Sequence, residues 1–213
     1  TSSSPSLTST PAPLSPALAA TLSAGQIPQP AKAVVDRAAL LAAQLAVDPT
    51  APRAGTAKVA ALEVVQALIA LSLPTVDTAL VSAGCVLRAV EMFFALPWHN
   101  IVHTIVSHML CESIKARPDG EVALACVSEP ISLPLRITDT FQANERTQER
   151  PSHHARLGNL GYSLSMGLTL EAAAAATGPD SQITRALANS PGWPQTAAQL
   201  DSIRTSNALP LGG

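Results

Sequence analysis

The sequence predicts an all-α protein, a HEAT- or armadillo-like α-solenoid of stacked helix pairs with a disordered N-terminal segment. Aromatic residues make up only 3% of the 213 residues and alanine dominates many stretches. This composition favours helix, because alanine loses no side-chain entropy there and aromatic residues fit strands better. Apolar residues recur at spacings of three and four, and no segment shows the alternation typical of a strand. Successive helices joined by short turns predict stacking, since each pair buries its apolar face on the next.

The N-terminal segment, residues 1–30, is dominated by Ser, Thr, Pro and Ala. Such a mixture buries too little apolar surface to offset the entropy lost on ordering, so it is predicted to be disordered. The helical scaffold is expected over residues 31–206, and a short tail over 207–213.

Two helices are predicted before residue 74. The first covers residues 31–47, where valines and leucines form an apolar stripe that Asp48-Pro49 ends. The second covers residues 56–73 and stops at Pro74, because proline lacks the N–H that would continue the helix.

A third helix is expected to start at Asp77, whose side-chain oxygen suits an N-cap, and to run to Pro97 with a break at Gly84. A polar turn is predicted at residues 117–120, Arg-Pro-Asp-Gly. The remaining predicted helices cover residues 98–114, 132–145, 161–176, 179–189 and 194–204.

Charge and cysteine usage exclude several classes of function. The net charge is −2, from 13 basic and 15 acidic residues without a basic cluster, so nucleic acid is not an expected partner. Charged residues such as Lys58 and Arg88 interrupt the apolar stretches, and no membrane role is expected. The three cysteines sit among apolar neighbours, which indicates buried thiols in a reducing compartment: the cytoplasm, and also the nucleus.

A metal site is the first chemistry to consider. His99 and His103 lie four residues apart and would share one helix face, with nitrogens able to meet one ion. The intervening residues lack the glutamate of a zinc-protease motif, and His108 is rotated off that face. Structural histidines are therefore favoured, and a helical metalloenzyme built on His99 and His103 remains an alternative. The carboxylates are dispersed over separate helices, so no acid–base pair can be identified, and the cysteines have no local signature of a nucleophile. Neither catalysis nor a cofactor is therefore predicted.

Residues 88–103 combine an apolar helix that has a double phenylalanine with a tryptophan, an asparagine and a histidine, and residues 158–161 form a glycine motif, Gly-Asn-Leu-Gly. Together the two stretches resemble the signature of the SAPS-domain family. Residues 141–148 resemble the segment before that motif. Gly178-Pro179 and Trp193 follow in the family's order. The residues that carry the resemblance are Phe93, Phe94, Trp98, Asn100, His103, Gly158, Asn159 and Gly161.

The resemblance implies a function. SAPS proteins are regulatory subunits of the protein phosphatase 6 class, so the family implies a non-catalytic scaffold that binds a Ser/Thr phosphatase catalytic subunit and directs its activity or substrate choice. Physically, Trp98 and Phe93-Phe94 are expected to anchor the core between helices, because large aromatic side chains mostly bury their area there. Asn100 and His103 are expected to satisfy backbone groups at the Pro97 turn. The alternative is a generic armadillo- or HEAT-like adaptor with no phosphatase partner.

Overall fold

The computed structural model describes residues 27–48, 50, 53–148 and 157–208. Most of the predicted N-terminal segment and residues 209–213 lie outside these ranges. Within them the chain is all-α as predicted, with eleven helices and no strand. The helices are α1 (Gln29–Val35), α2 (Ala38–Leu45), α3 (Thr56–Ala70), α4 (Pro74–Ser82), α5 (Cys85–Ala95), α6 (Asn100–Ala116), α7 (Glu121–Val127), α8 (Leu133–Gln148), α9 (Leu160–Thr177), α10 (Gln182–Asn189) and α11 (Trp193–Ala208).

The number of helices differs from the prediction in two places. The first predicted helix is two, since α1 ends at Val35 and α2 begins at Ala38 after a short turn. The helix α7 was missed altogether. It is only seven residues long, and a run that short contains too few turns to establish a helical period.

Asp77 does not cap the third helix, contrary to the prediction. That helix, α4, begins earlier, with Leu73 at the N-cap and Pro74 in its first turn, a position where proline's missing N–H costs nothing. Asp77 lies inside α4 with only 1% of its surface exposed. The predicted break at Gly84 is confirmed, since Gly84 has φ +82° between α4 and α5, a left-handed conformation that glycine adopts without strain.

Contacts between helices join elements that are three apart in the chain. One row is α3, α6 and α9, and a second is α4, α7 and α10; α2 packs on α5, and α8 on α11. Besides contacts between successive helices, these rows repeat at every third helix, whereas the sequence predicted pairs. The helix α6 makes the most extensive contacts, with α3 and α9, and it begins directly after the Pro97 turn.

The core holds all three cysteines as free, buried thiols, as expected. Burial raises the pKa of Cys85 and Cys111, and it raises the pKa of Cys126 to about 12. Among the described residues, no single helix is long and apolar enough to cross a membrane; α4 and α5 pass that test only as a pair, bent by 62°.

Candidate partner-binding site

The turn between α5 and α6 is held by His99. Its Nδ1 accepts a hydrogen bond from the Val102 backbone N–H at 3.4 Å, and its Nε2 lies 3.3 Å from the Ala54 carbonyl oxygen. Both contacts are satisfied when Nδ1 accepts and Nε2–H donates. The residue that serves the backbone at this turn is thus His99, whereas Asn100, expected in that role, has an exposed side chain.

The glycine motif packs directly on this turn. A Cβ at Gly158 would lie 2.6 Å from the Pro97 carbonyl oxygen and 3.1 Å from Cε3 of Trp98. Only glycine permits so close an approach, since real Cβ atoms do not come within 3.0 Å of other heavy atoms. The two signature stretches, about sixty residues apart in the sequence, therefore meet in space.

Asn144 on α8 fixes the chain where it enters the glycine motif. Its Oδ1 accepts a hydrogen bond from the Leu157 backbone N–H at 3.3 Å, and the asparagine is buried. The sequence placed Asn144 in the segment that resembles the family, but gave it no role. The burial of a polar residue in an otherwise exposed stretch is the signal that marks Asn144. Burial depends on how α8 packs in the fold, so the sequence pattern does not reveal it.

Aromatic rings stack beneath the turn. The ring centroids of Phe93 and Phe94 are 4.9 Å apart, those of Phe93 and His103 are 4.9 Å apart, and those of His103 and Tyr162 are 5.5 Å apart. Phe93 and His103 are fully buried. Tyr162, which follows the glycine motif, also reaches α6, because its hydroxyl lies 3.1 Å from Thr104 Oγ1. The stack joins α5, α6 and α9 below the point where the two signatures meet.

His103 is a neutral ring in this stack. Burial lowers its pKa, while the backbone carbonyls of Leu96 and Phe93 act in the opposite direction. Neither ring nitrogen makes a hydrogen bond of good geometry to any of the described residues. His103 thus packs as an aromatic ring and does not serve the backbone of the turn, contrary to the expectation.

Acidification should therefore weaken the fold through His103. Its pKa is lowered on folding, so the unfolded chain binds a proton more readily, and stability falls as the pH drops below about 6.5. His103→Leu is expected to reduce the stability lost between pH 7.5 and pH 5 by on the order of 1 kcal/mol, measured by urea unfolding. His108→Gln, which changes an exposed histidine, is the control and should leave that loss unchanged. Equal losses in wild type and His103→Leu would contradict this account.

Trp98 is not a core anchor, contrary to the prediction. It is 65% exposed, and Ile101, the second residue of α6, is 57% exposed. The predicted helix over residues 98–114 included Trp98, but α6 begins at Asn100, and Trp98 lies in the turn before it, outside the helical period. The exposed residues Trp98, Asn100, Ile101 and Thr104 lie in the turn before α6 and in its first turns, and they are together called the Trp98 patch. The tryptophan buried in the core is Trp193, which is 3% exposed and donates its Nε1–H to the Glu171 carboxylate.

The other two glycine-motif residues have different surroundings. Asn159 is buried at the start of α9, but its side chain does not cap the helix and its Oδ1 has no partner among the described residues. Gly161 is exposed, and a Cβ there would meet no described atom within 4 Å. Of the three glycine-motif residues singled out from the sequence, Gly158 alone makes a steric demand at the turn.

The histidines considered for a metal site face different neighbours. His99 points toward Ala54, His103 lies between two aromatic rings, and His108 is exposed with Nδ1 3.2 Å from Gln66 Nε2. In the part of the chain that the structure describes, no three His, Cys, Asp or Glu side chains are placed to hold a metal ion.

Comparison with protein families places the two signature stretches in one family. The SAPS model, described as SIT4 phosphatase-associated protein, matches residues 66–208, about two thirds of the chain. That range includes the Pro97 turn, the ring stack and the glycine motif. Comparison with curated proteins and with solved structures gave no match.

Proposed function

Because the chain belongs to the SAPS family of SIT4 phosphatase-associated proteins, we propose that it is a regulatory subunit that binds a Ser/Thr phosphatase catalytic subunit of the protein phosphatase 6 type. In this role it directs the activity or substrate choice of its partner and performs no catalysis itself. One observation carries the proposal: both signature stretches of the family converge on an exposed tryptophan.

The Trp98 patch has the properties of an interface centre. Tryptophan is enriched among the residues that dominate binding energy, and such residues sit in an otherwise apolar, well-packed surrounding. Trp98 rests on Gly158 and has the exposed Ile101 beside it. The Trp98 indole packs on Gly158 with one face and leaves its other face exposed to solvent. Because the ring is already held in place, it loses little conformational entropy when a partner covers it. The patch is therefore our proposed contact with the catalytic subunit.

The rows of helices support a scaffold role. Helices three apart in the chain contact each other along two rows, as expected for an armadillo-like stack of three-helix units. In such a stack the α3, α6 and α9 row presents a continuous face, and the Trp98 patch lies on its central helix. The buried free thiols fit the predicted location in the cytoplasm and nucleus, which stays a prediction.

Trp98→Ala should abolish partner binding without unfolding the protein. An exposed side chain contributes little to stability, so we expect the free energy of unfolding to fall by less than about 1 kcal/mol. Affinity purification of the tagged full chain from its own cells should recover a Ser/Thr phosphatase catalytic subunit, identified by mass spectrometry. Recovery should drop roughly tenfold or more with Trp98→Ala.

Leu40→Ala is the matched control, because Leu40 is also a large exposed apolar residue, at 67%, but lies on α2, outside both signature stretches. It should leave recovery of the catalytic subunit unchanged. Purification that retains other proteins but no phosphatase would contradict the proposal and leave the generic adaptor. Equal recovery with Trp98→Ala would move the contact elsewhere on the chain.

A further inference from the structure

A groove of about 490 Å³ runs between α3 and α6. Its floor is apolar, with Ile69 and Met109 buried beneath it and the small side chain of Ala67 on one wall. Neither Trp98 nor Ile101 lines this groove, so it is separate from the Trp98 patch.

The two helices run in the same direction along the groove. Gln66 of α3 lies opposite His108 of α6, and farther along each helix Ala70 and Ser113 line the same groove. Both helices therefore end at the same end of it, α3 at Ala70 and α6 at Ala116. The unpaired carbonyl groups of a helix C-terminus carry a partial negative charge, which favours a nearby cation.

Two carboxylates add to that charge. Glu63 lines the groove from α3 and Glu112 from α6, and the groove-lining residues include no lysine or arginine. Glu112 accepts a hydrogen bond from Lys115 at 2.9 Å, and this bond lowers the pKa of Glu112. Lys115 offsets part of the charge of Glu112, so Glu63 and the two helix ends supply most of the negative charge around the apolar floor.

We infer that this groove is a docking site for a short, basic, amphipathic segment of a partner protein. Apolar side chains of the segment pack on the floor beside Met109, while lysine or arginine side chains reach Glu63, Glu112 and the two helix ends. The groove extends along α3 from Glu63 to Ala70 and along α6 from His108 to Ala116, about 10 to 12 Å at the rise of a helix. That length accommodates about two turns of a bound helix.

The chain's own N-terminal segment is a poorer match. Residues 1–30 contain no Lys, Arg or His, so they lack the charge that the groove complements. The inference goes beyond the phosphatase proposal and does not depend on it, because the two surfaces share none of their residues.

Selection from a displayed library of random twelve-residue peptides, using the purified full chain as bait, tests the inference. Enriched peptides should combine Lys or Arg with apolar residues at helical spacing. Synthetic copies should bind in fluorescence anisotropy, more weakly as the salt concentration rises. Glu63→Gln with Glu112→Gln should weaken binding roughly tenfold, and Ala67→Phe, which fills the groove, should abolish it. Asp139→Asn, at an exposed carboxylate on α8, is the matched control and should bind like wild type.

Three results would overturn the inference. The first is enrichment of uncharged or acidic peptides, and the second is no enrichment at all. The third is an unchanged affinity for the enriched peptides in either the double variant, Glu63→Gln with Glu112→Gln, or the Ala67→Phe variant. Uncharged peptides similar to residues 14–22 would instead assign the groove to the chain's own N-terminal segment. The double glutamine variant should still recover the phosphatase, because the Trp98 patch is unchanged in it. A failure of the groove proposal is thereby distinguished from a failure of the phosphatase proposal.

Discussion

Arg117→Ala is expected to lower the free energy of unfolding by about 3–5 kcal/mol. The Arg117 guanidinium forms an ion pair with Asp77, which joins the end of α6 to α4, and the Asp77 carboxylate is almost completely buried. Removal of Arg117 leaves a buried carboxylate without its cation, and that desolvation is costly. Urea unfolding at pH 7 measures the loss.

The size of this loss should depend on pH. Burial raises the pKa of Asp77, and Arg117 opposes that rise. Without Arg117 the pKa rises further, so the folded variant binds a proton more readily than the unfolded chain, and acid relieves the cost of the buried charge. The stability difference between wild type and Arg117→Ala should therefore be largest at pH 7 and smaller at pH 5.

Two controls isolate the buried pair. Lys32→Ala removes the cation of an exposed pair, Lys32 with Asp36, and should cost at most about 1 kcal/mol. In an Asp77→Asn background the carboxylate is absent, so the further loss caused by Arg117→Ala should be the same at pH 5 and pH 7. A loss that is equal at pH 5 and pH 7 would show that Arg117 acts through packing and not through its charge.

Gly158→Ala is expected to cost about 1–3 kcal/mol, the usual effect of forcing atoms into a filled space. The new methyl group would meet the backbone oxygen of Pro97, which cannot rotate away as a flexible side chain can. The turn must then shift, and Trp98 with it. Thermal unfolding gives the cost, and the affinity purification described above should show reduced recovery of the catalytic subunit.

Gly161→Ala is the matched control within the same motif. Its Cβ would point into open space in the first turn of α9, so the change should be neutral or stabilise the protein by up to about 1 kcal/mol through helix propensity. Equal destabilisation by both substitutions would mean that the motif acts through backbone flexibility. The steric contact with the Pro97 turn would then not be its basis.

The fold class followed from the sequence, but the neighbours of each helix did not. Apolar periodicity along α3 and α6 depends only on local spacing, and it identifies a helix without stating which partner covers it. The grouping of helices by threes was missed for this reason. Asp77 shows the same limit, because its pairing with Arg117, forty residues away, makes it a buried ion-pair residue where local pattern indicated an N-cap.

The candidate site was predicted in part. The resemblance identified both stretches that meet at the Pro97 turn, but it gave no indication that they are in contact. It did not distinguish the buried tryptophan from the exposed one: Trp193 lies in the core and Trp98 on the surface. Nor did it identify His99 and Asn144 as the residues that hold the turn and the glycine motif, since their partners are backbone groups of distant segments.

Because its thiols are buried, the folded protein should react very slowly with alkylating reagents. Only the thiolate reacts, and with a pKa of about 12 for Cys126 roughly one molecule in 100,000 carries it at pH 7. The rate of iodoacetamide labelling at Cys85, Cys111 and Cys126 therefore reports how often each part of the helical core opens. The helices α5, α6 and α7 each carry one of these cysteines. Mass spectra recorded at successive labelling times would therefore rank these three consecutive helices by how often each one opens.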